Sequence, residues 1–189
     1  MRDVETGSEW AHLLGKAMAG PMKGTRLKPI ITDMVTWGVW KQQYPETTVL
    51  QLSATARGYT SEFYQHDTSK FVFGFEVNGV TKALPMAQLI KKPVHTFETG
   101  KVNLVATFDA KGTVTHLFER EVKGRVLDFE HQSGLVMTDG QTNSRWHMLS
   151  GECIAGELKG SLLTQRVGIM SFRKAWQNFH PDSHDIPFP

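Results

Sequence analysis

Cysteine is almost absent from this chain. The single one, Cys153, has no partner for an intrachain disulfide and excludes a cysteine cage for a metal within one chain. It leaves the compartment open, because many exported proteins carry no disulfide. Long apolar runs are also missing. No stretch approaches the roughly 20 residues that a membrane-crossing helix needs, and Met1-Arg2-Asp3-Val4-Glu5-Thr6 lacks the apolar core of a signal peptide. The sequence reads as a mature or truncated soluble chain without a transmembrane segment. A strong charge of either sign is lacking as well: 21 Lys and Arg stand against 19 Asp and Glu, a formal net of +2. The basic residues fall in small scattered groups, such as Lys91-Lys92, Arg120 to Arg125 and Arg173-Lys174. A nucleic-acid partner needs a basic face with aromatic platforms or a groove-reading element, so none is expected. Low-complexity linkers and composition breaks are absent, and residues 1–189 are expected to form one compact domain.

What is present is a duplication. Residues 1–47 and 137–183 repeat one pattern without a gap, every matched pair being offset by 136 positions, as Trp10 and Trp146 are. The match includes Asp3 and Asp139, Ser8 and Ser144, Gly15 and Gly151, Gly20 and Gly156, and Gly24 and Gly160. It runs on to Trp40 and Trp176, and to Pro45 and Pro181. Such self-similarity implies an architecture of two related units. The units are expected over 1–50 and 101–185, joined by a hairpin and helix segment over 51–100. What recurs should be scaffold, and what differs marks where chemistry could sit.

The local signals favour strands. Asp3-x-x-Thr6-Gly7-Ser8 has turn chemistry, and Asn143, standing where the first copy has Gly7, is the next residue most tolerant of positive φ. Leu27 to Val35 reads as a strand, an edge one given Pro29, and Thr36 to Tyr44 as a short helix ended by Pro45. Phe71 to Val77, Asn78-Gly79 and Val80 to Ala83 predict a hairpin, because Asn-Gly favours the type I′ turn that matches strand twist. Pro85 to Ile90 reads as one or two helical turns, and 101–136 as a meander with strands at Val102 to Phe108, Thr113 to Glu119 and Val126 to Glu130. The expected class is mainly β, a β-rich α+β fold with a few short helices and two pseudo-symmetric β-units around a shared core. The second copy follows that meander, whereas nothing precedes the first. This asymmetry predicts either truncation of a longer chain or another subunit filling the gap.

The motifs Asp3-x-x-Thr6-Gly7-Ser8-x-Trp10, Gly15-x-Ala17-x-x-Gly20-Pro21-x-x-Gly24-x-x-Leu27 and Trp40-x-x-x-x-Pro45 carry a family resemblance. So do the central Val77-Asn78-Gly79-x-x-Lys82-Ala83-x-Pro85 and the stretch Phe118 to Trp146. Together they resemble the family numbered 3179 among the domains of unknown function, over nearly the whole chain. The resemblance implies further sequence ahead of the first motif, with a Cys-x-x-Cys-like strand and an export signal or lipid anchor, hence an exported or membrane-anchored context. It implies no activity, and function must be argued from sites.

Among candidate sites, Gly15 to Gly20 lacks the Lys-Ser/Thr that a phosphate loop needs, since Pro21-Met22 follows. Neither a nucleophile elbow nor a duplicated Ser-His-Asp set exists, and no catalytic residue is assigned. The recurring Trp10, Trp146, Trp40 and Trp176 are expected as core anchors. Trp37, replaced by Arg173 in the second copy, is expected at a surface or cleft as a ligand or partner contact. His66-Asp67, near Glu62 and Tyr64, could act as an acid-base pair or contact in a surface loop. The second copy also has His147, Cys153, His180, Asp182 and His184 where the first has other residues. Imidazoles, a thiol and a carboxylate suit Zn or Cu, although the spacing follows no ligand motif and no cofactor is required by the sequence. Two functions follow as expectations: a non-catalytic binding or interaction protein in a homo-oligomer or larger assembly, or a metal-binding or redox protein using His147, Cys153 and His180.

Overall fold

The computed structural model describes residues 1–32, 35–49 and 68–188. The fold is mainly β with short helices. In chain order come β1 (Glu9–Ala11), β2 (Lys16–Ala19), α1 (Trp37–Gln43), β3 (Phe71–Val77), β4 (Val80–Pro85), α2 (Met86–Lys91), β5 (Val94–Thr99), β6 (Val102–Asp109) and β7 (Val114–Glu119). There follow β8 (Glu121–Val122), β9 (Arg125–Val126), β10 (Phe129–Ser133), β11 (Val136–Asp139), β12 (Arg145–His147), β13 (Cys153–Ala155), β14 (Gln165–Arg166), β15 (Gly168–Phe172), α3 (Arg173–Phe179) and β16 (His184–Asp185).

Three four-stranded sheets form the body, ordered β15-β3-β4-β16, β14-β7-β6-β5 and β10-β11-β12-β13. The second is the middle slab, and the alternation of side chains along β6 shows why. Leu104, Ala106 and Phe108 join Phe71, Phe73, Phe75, Leu84 and Leu117 in a cluster shared with the β3–β4 sheet. Val105, one residue out of phase, joins Val94, Phe118, Phe129, Met137, Trp146, Cys153, Leu158 and Leu163 in a cluster with the β10–β13 sheet. Burying each such Val, Leu, Phe or Met side chain stabilises the fold by about 1.5–3 kcal/mol. Thr107 is the polar exception on that second face. Its buried hydroxyl donates to the Met148 carbonyl at 2.7 Å. On the outer face of β3, α3 lays Trp176 over Gly74, where a Cβ would come within 2.4 Å of the indole ring.

The Asn78-Gly79 hairpin forms as the sequence predicts, with both residues at positive φ (50° and 77°) between β3 and β4. Other segments differ. Residues 27–32 are not a strand: they are exposed and no neighbouring strand pairs with them. The expected third meander strand, Val126 to Glu130, is split: Val126 ends β9 of a miniature β8–β9 hairpin that turns at Lys123-Gly124, and β10 starts only at Phe129. The two repeats contribute unequally to the core. The second repeat supplies Met137, Trp146, Cys153, Leu158 and Leu163 to a buried cluster, whereas of β1 and β2 and the turn before them only Ser8 and Ala17 are buried.

Candidate functional site

The duplicated motif builds the same clasp twice. In the first copy Asp3 Oδ1 accepts from the Thr6 amide at 2.6 Å, and Oδ2 accepts from Trp10 Nε1 at 2.8 Å. In the second, Asp139 accepts from the Thr142 amide at 2.6 Å and from Trp146 Nε1 at 2.9 Å. Thr and Ser hydroxyls then touch, Thr6 to Ser8 at 2.6 Å and Thr142 to Ser144 at 2.7 Å. Each Ser Oγ in turn accepts the amide fourteen residues on, Met22 at 3.0 Å and Leu158 at 3.2 Å. Glycine is required opposite. A Cβ on Gly20 would lie 2.8 Å from Ser8 Cα, and one on Gly156 would lie 2.6 Å from Ser144 Cα. The residue at the tight turn has φ +69° as Gly7 and +54° as Asn143, the tolerance expected of Asn.

A second clasp closes each copy. Trp40 Nε1 donates to Thr47 Oγ1 at 3.1 Å, and Trp176 Nε1 to Ser183 Oγ at 2.9 Å. Tyr44 and His180 pack against these indoles in tilted contacts, with ring centroids 4.3 and 4.1 Å apart. In both clasps the polar side-chain atoms bond to one another. The Trp10 indole bond is the main reason that the Asp3 carboxyl is held down to about 2, with the Thr6 amide next.

The structure does not assemble the histidines, thiol and carboxylate of the second copy into one site. Cys153 pairs directly with Trp146 across β12–β13 and shares its buried face. His147, one residue along from Trp146, therefore points to the other face, where its Nδ1 accepts from the Ser150 amide at 3.2 Å. Burial pushes the Cys153 thiol pKa up, so the sulfur behaves as a small apolar filler. His180 and Asp182 line a groove of about 390 Å³ with Gly79 to Lys82, whereas His184 sits in the ladder opposite Lys82. Burial lowers the His180 pKa. Among the described residues no three His, Cys, Asp or Glu converge on a metal-sized point. Trp37 is 51% exposed, with Lys41 Nζ 5.9 Å above its ring, as expected of a surface position. His66 and its neighbours Glu62, Tyr64 and Asp67 lie outside the described residues.

What separates the copies is cover. Leu158 and Leu163 are 1% and 3% exposed beneath the slab, while their counterparts Met22 and Leu27 are 37% and 57% exposed. Trp146 is fully buried and Trp10 only half so. The geometry beneath is unchanged: Leu27 N–H reaches Gly15 O at 2.7 Å, and Leu163 N–H reaches Gly151 O at 2.9 Å. Among the described residues, the same apolar face is built twice and covered once.

A family model described as "Protein of unknown function (DUF3179)" matches residues 1–70 and 59–184, nearly the whole chain. The chain belongs to this family. No curated protein and no solved structure matches it. In this DUF3179 chain the Asp-x-x-Thr-x-Ser-x-Trp pattern builds a clasp that ties a turn to an indole. The feature that sequence reasoning missed is the open face of Trp10, Met22 and Leu27.

Proposed function

We propose that this protein is a non-catalytic interaction module that works within an assembly, docking through the open β-unit of its first repeat. One observation carries this reading: the face formed by Trp10, Met22 and Leu27 is the counterpart of one that the second repeat buries completely. The second repeat also states the chemistry of the cover, an antiparallel sheet presenting Val and Phe side chains, as β5, β6 and β7 do with Val94, Val105 and Phe118. Covering the exposed parts of Met22 and Leu27 in the same way would contribute about 1.5–3 kcal/mol to association. The Ser8 and Ser144 hydroxyls, the recurring groups most suggestive of a nucleophile, are engaged by the amides of Met22 and Leu158. No observation favours the alternative of a metal or redox protein through His147, Cys153 and His180.

The test combines solution mass and hydrogen exchange on the full chain. The β1–β2 amides should exchange faster than their β12–β13 counterparts in dilute solution, and should slow as rising concentration or a bound partner raises the mass above 21.3 kDa. Replacing Met22 and Leu27 with Glu should remove that association without lowering the melting temperature. A monodisperse 21.3 kDa monomer with fully protected Trp10 and Ala17 amides would sink the proposal.

A further inference from the structure

Beyond the first repeat, a second contact stands apart from the duplicated architecture. After Ser183 the chain turns along the edge of β4, where β16 runs parallel to it with His184 opposite Lys82 and Asp185 opposite Ala83. The Ile186 amide donates to the Ala83 carbonyl at 2.8 Å, and its side chain is buried in the cluster between the sheets. Arg173 Nη1 holds Asp185 Oδ2 at 2.6 Å. Then His95, on β5 and only 4% exposed, meets the last part of the segment. Its Nε2 lies 3.0 Å from the Pro187 carbonyl, and its ring stacks on Phe188 at 4.0 Å with an interplanar angle of 18°.

A carbonyl can only accept, so Nε2 carries the imidazole proton and Nδ1 is the bare nitrogen. Nδ1 is buried and has no hydrogen-bond partner among the described residues. The neutral ring therefore fits the contact, and the charged ring does not. Protonation would place a second N–H against no acceptor, inside apolar surroundings. The charged groups nearby do not help. Lys92, just past α2, carries a like charge that opposes protonation, and Asp185 on the strap is already engaged by Arg173. Ala106, opposite His95 on β6, and Phe97, next to it on the same face of β5, carry no charge.

We propose that residues 184–188 form an acid-released strap with His95 as its latch. In the closed state His95 is neutral and its Nε2–H holds Pro187. In the open state the ring meets water and protonates freely, so acid favours opening. Burial lowers the His95 pKa from its ordinary value of 6.5, with Lys92 acting in the same direction. Between that depressed value and 6.5 the released state binds the extra proton, and the open-to-closed ratio rises by up to about tenfold for each pH unit of acidification. Opening would bare the backbone groups along the outer edge of β4, a ready template for an incoming strand. A strap of two ladder residues and one apolar anchor belongs to the low-stability end of a fold, where such local opening occurs.

The experiment is amide hydrogen exchange read by NMR on the full chain at about pH 7.5 and about pH 5.5, expressed as protection factors. The Ile186 amide should lose several-fold to tenfold protection at the lower pH, while the Phe108 amide, bonded to the Pro93 carbonyl in the slab, keeps its own. His95→Gln retains an N–H for Pro187 but never charges, and its Ile186 protection should stay flat with pH. Ile186 protection that does not fall in the native protein, or falls equally in His95→Gln, overturns the proposal. Should His95→Gln fail to fold, the NMR titration of the His95 ring in the native chain decides. A depressed midpoint accompanied by loss of the Ile186 bond supports the latch, and an ordinary midpoint with the bond intact refutes it.

Discussion

Asp3 and Asp139 both accept from the amide and hydroxyl of the Thr three residues on and from the indole N–H of the Trp seven residues on, yet replacing each by Ala should have very different consequences. Asp139 is fully buried, and its oxygens accept from the Thr142 amide at 2.6 Å, the Thr142 hydroxyl at 2.9 Å and Trp146 Nε1 at 2.9 Å. Its removal strands the indole N–H of a tryptophan with no solvent access, which alone costs about 1–3 kcal/mol. Loss of the charge-assisted bonds to Thr142 adds to this, for a total of about 3–5 kcal/mol. In a chain of 189 residues each kcal/mol lowers the melting temperature by about 2–4 °C, so Asp139→Ala should melt about 10 °C lower. At Asp3 water reaches both the carboxylate and the half-buried Trp10 and can replace the lost bonds, so Asp3→Ala should show less than a third of that shift. Thermal melts by circular dichroism, run on both variants beside the native chain, measure the difference. Equal shifts, or a larger one for Asp3→Ala, would refute the argument that cover rather than motif geometry sets the contribution of the clasp.

Gly156→Ala places a Cβ 2.6 Å from Ser144 Cα at a φ of +101°, and chemical denaturation should show a loss of about 3 kcal/mol. Gly160→Ala, at φ +82° with open space around it, should lose only about 1–2 kcal/mol. Ellman's reagent should leave the folded protein unlabelled and titrate one thiol in guanidinium, and Cys153→Ala, which reproduces the Ala17 of the first copy, should cost about 1 kcal/mol. The Asp3 carboxyl is lowered from 3.8 to about 2, so its bonds stabilise the fold fully above 3.8 and are lost as pH falls through 2. The Trp10 indole N–H resonance should accordingly hold its position down to about pH 3 and shift below it.

Local chemistry was the legible part of this sequence. Asn78-Gly79 fixes a hairpin by its own φ preferences, and the Asp, Thr, Ser and Trp of the repeat close contacts within a few residues of one another, so they read directly from spacing. Segments whose conformation depends on a distant partner were not legible. Gly168 to Phe172 became β15 because β3 offers its edge, and His184-Asp185 became a strand because β4 has a free side. Residues 27–32 carry a strand-like composition but meet no edge, and stay irregular. The candidate metal residues failed to meet for a related reason: Trp146 and His147 are adjacent in sequence and therefore face opposite sides of β12. The uncovered face could not be read from the first copy alone, because exposure is a property of what lies on top.

The two-sided slab has a consequence for strand alignment. Most half-buried strands guard their register by polarity, since a slip of one residue would turn apolar groups outward. In β6 that guard is weak, because Leu104, Ala106 and Phe108 face one apolar cluster and Val105 faces another. A slipped β6 would still be greasy on both sides. The discriminating mark is Thr107, whose hydroxyl finds the Met148 carbonyl only in the observed alignment and in the slipped one would enter the Phe-rich side without an acceptor, at about 1–3 kcal/mol. One hydroxyl thus works as the index notch of the central sheet, distinguishing two alignments that hydrophobicity alone would leave nearly degenerate.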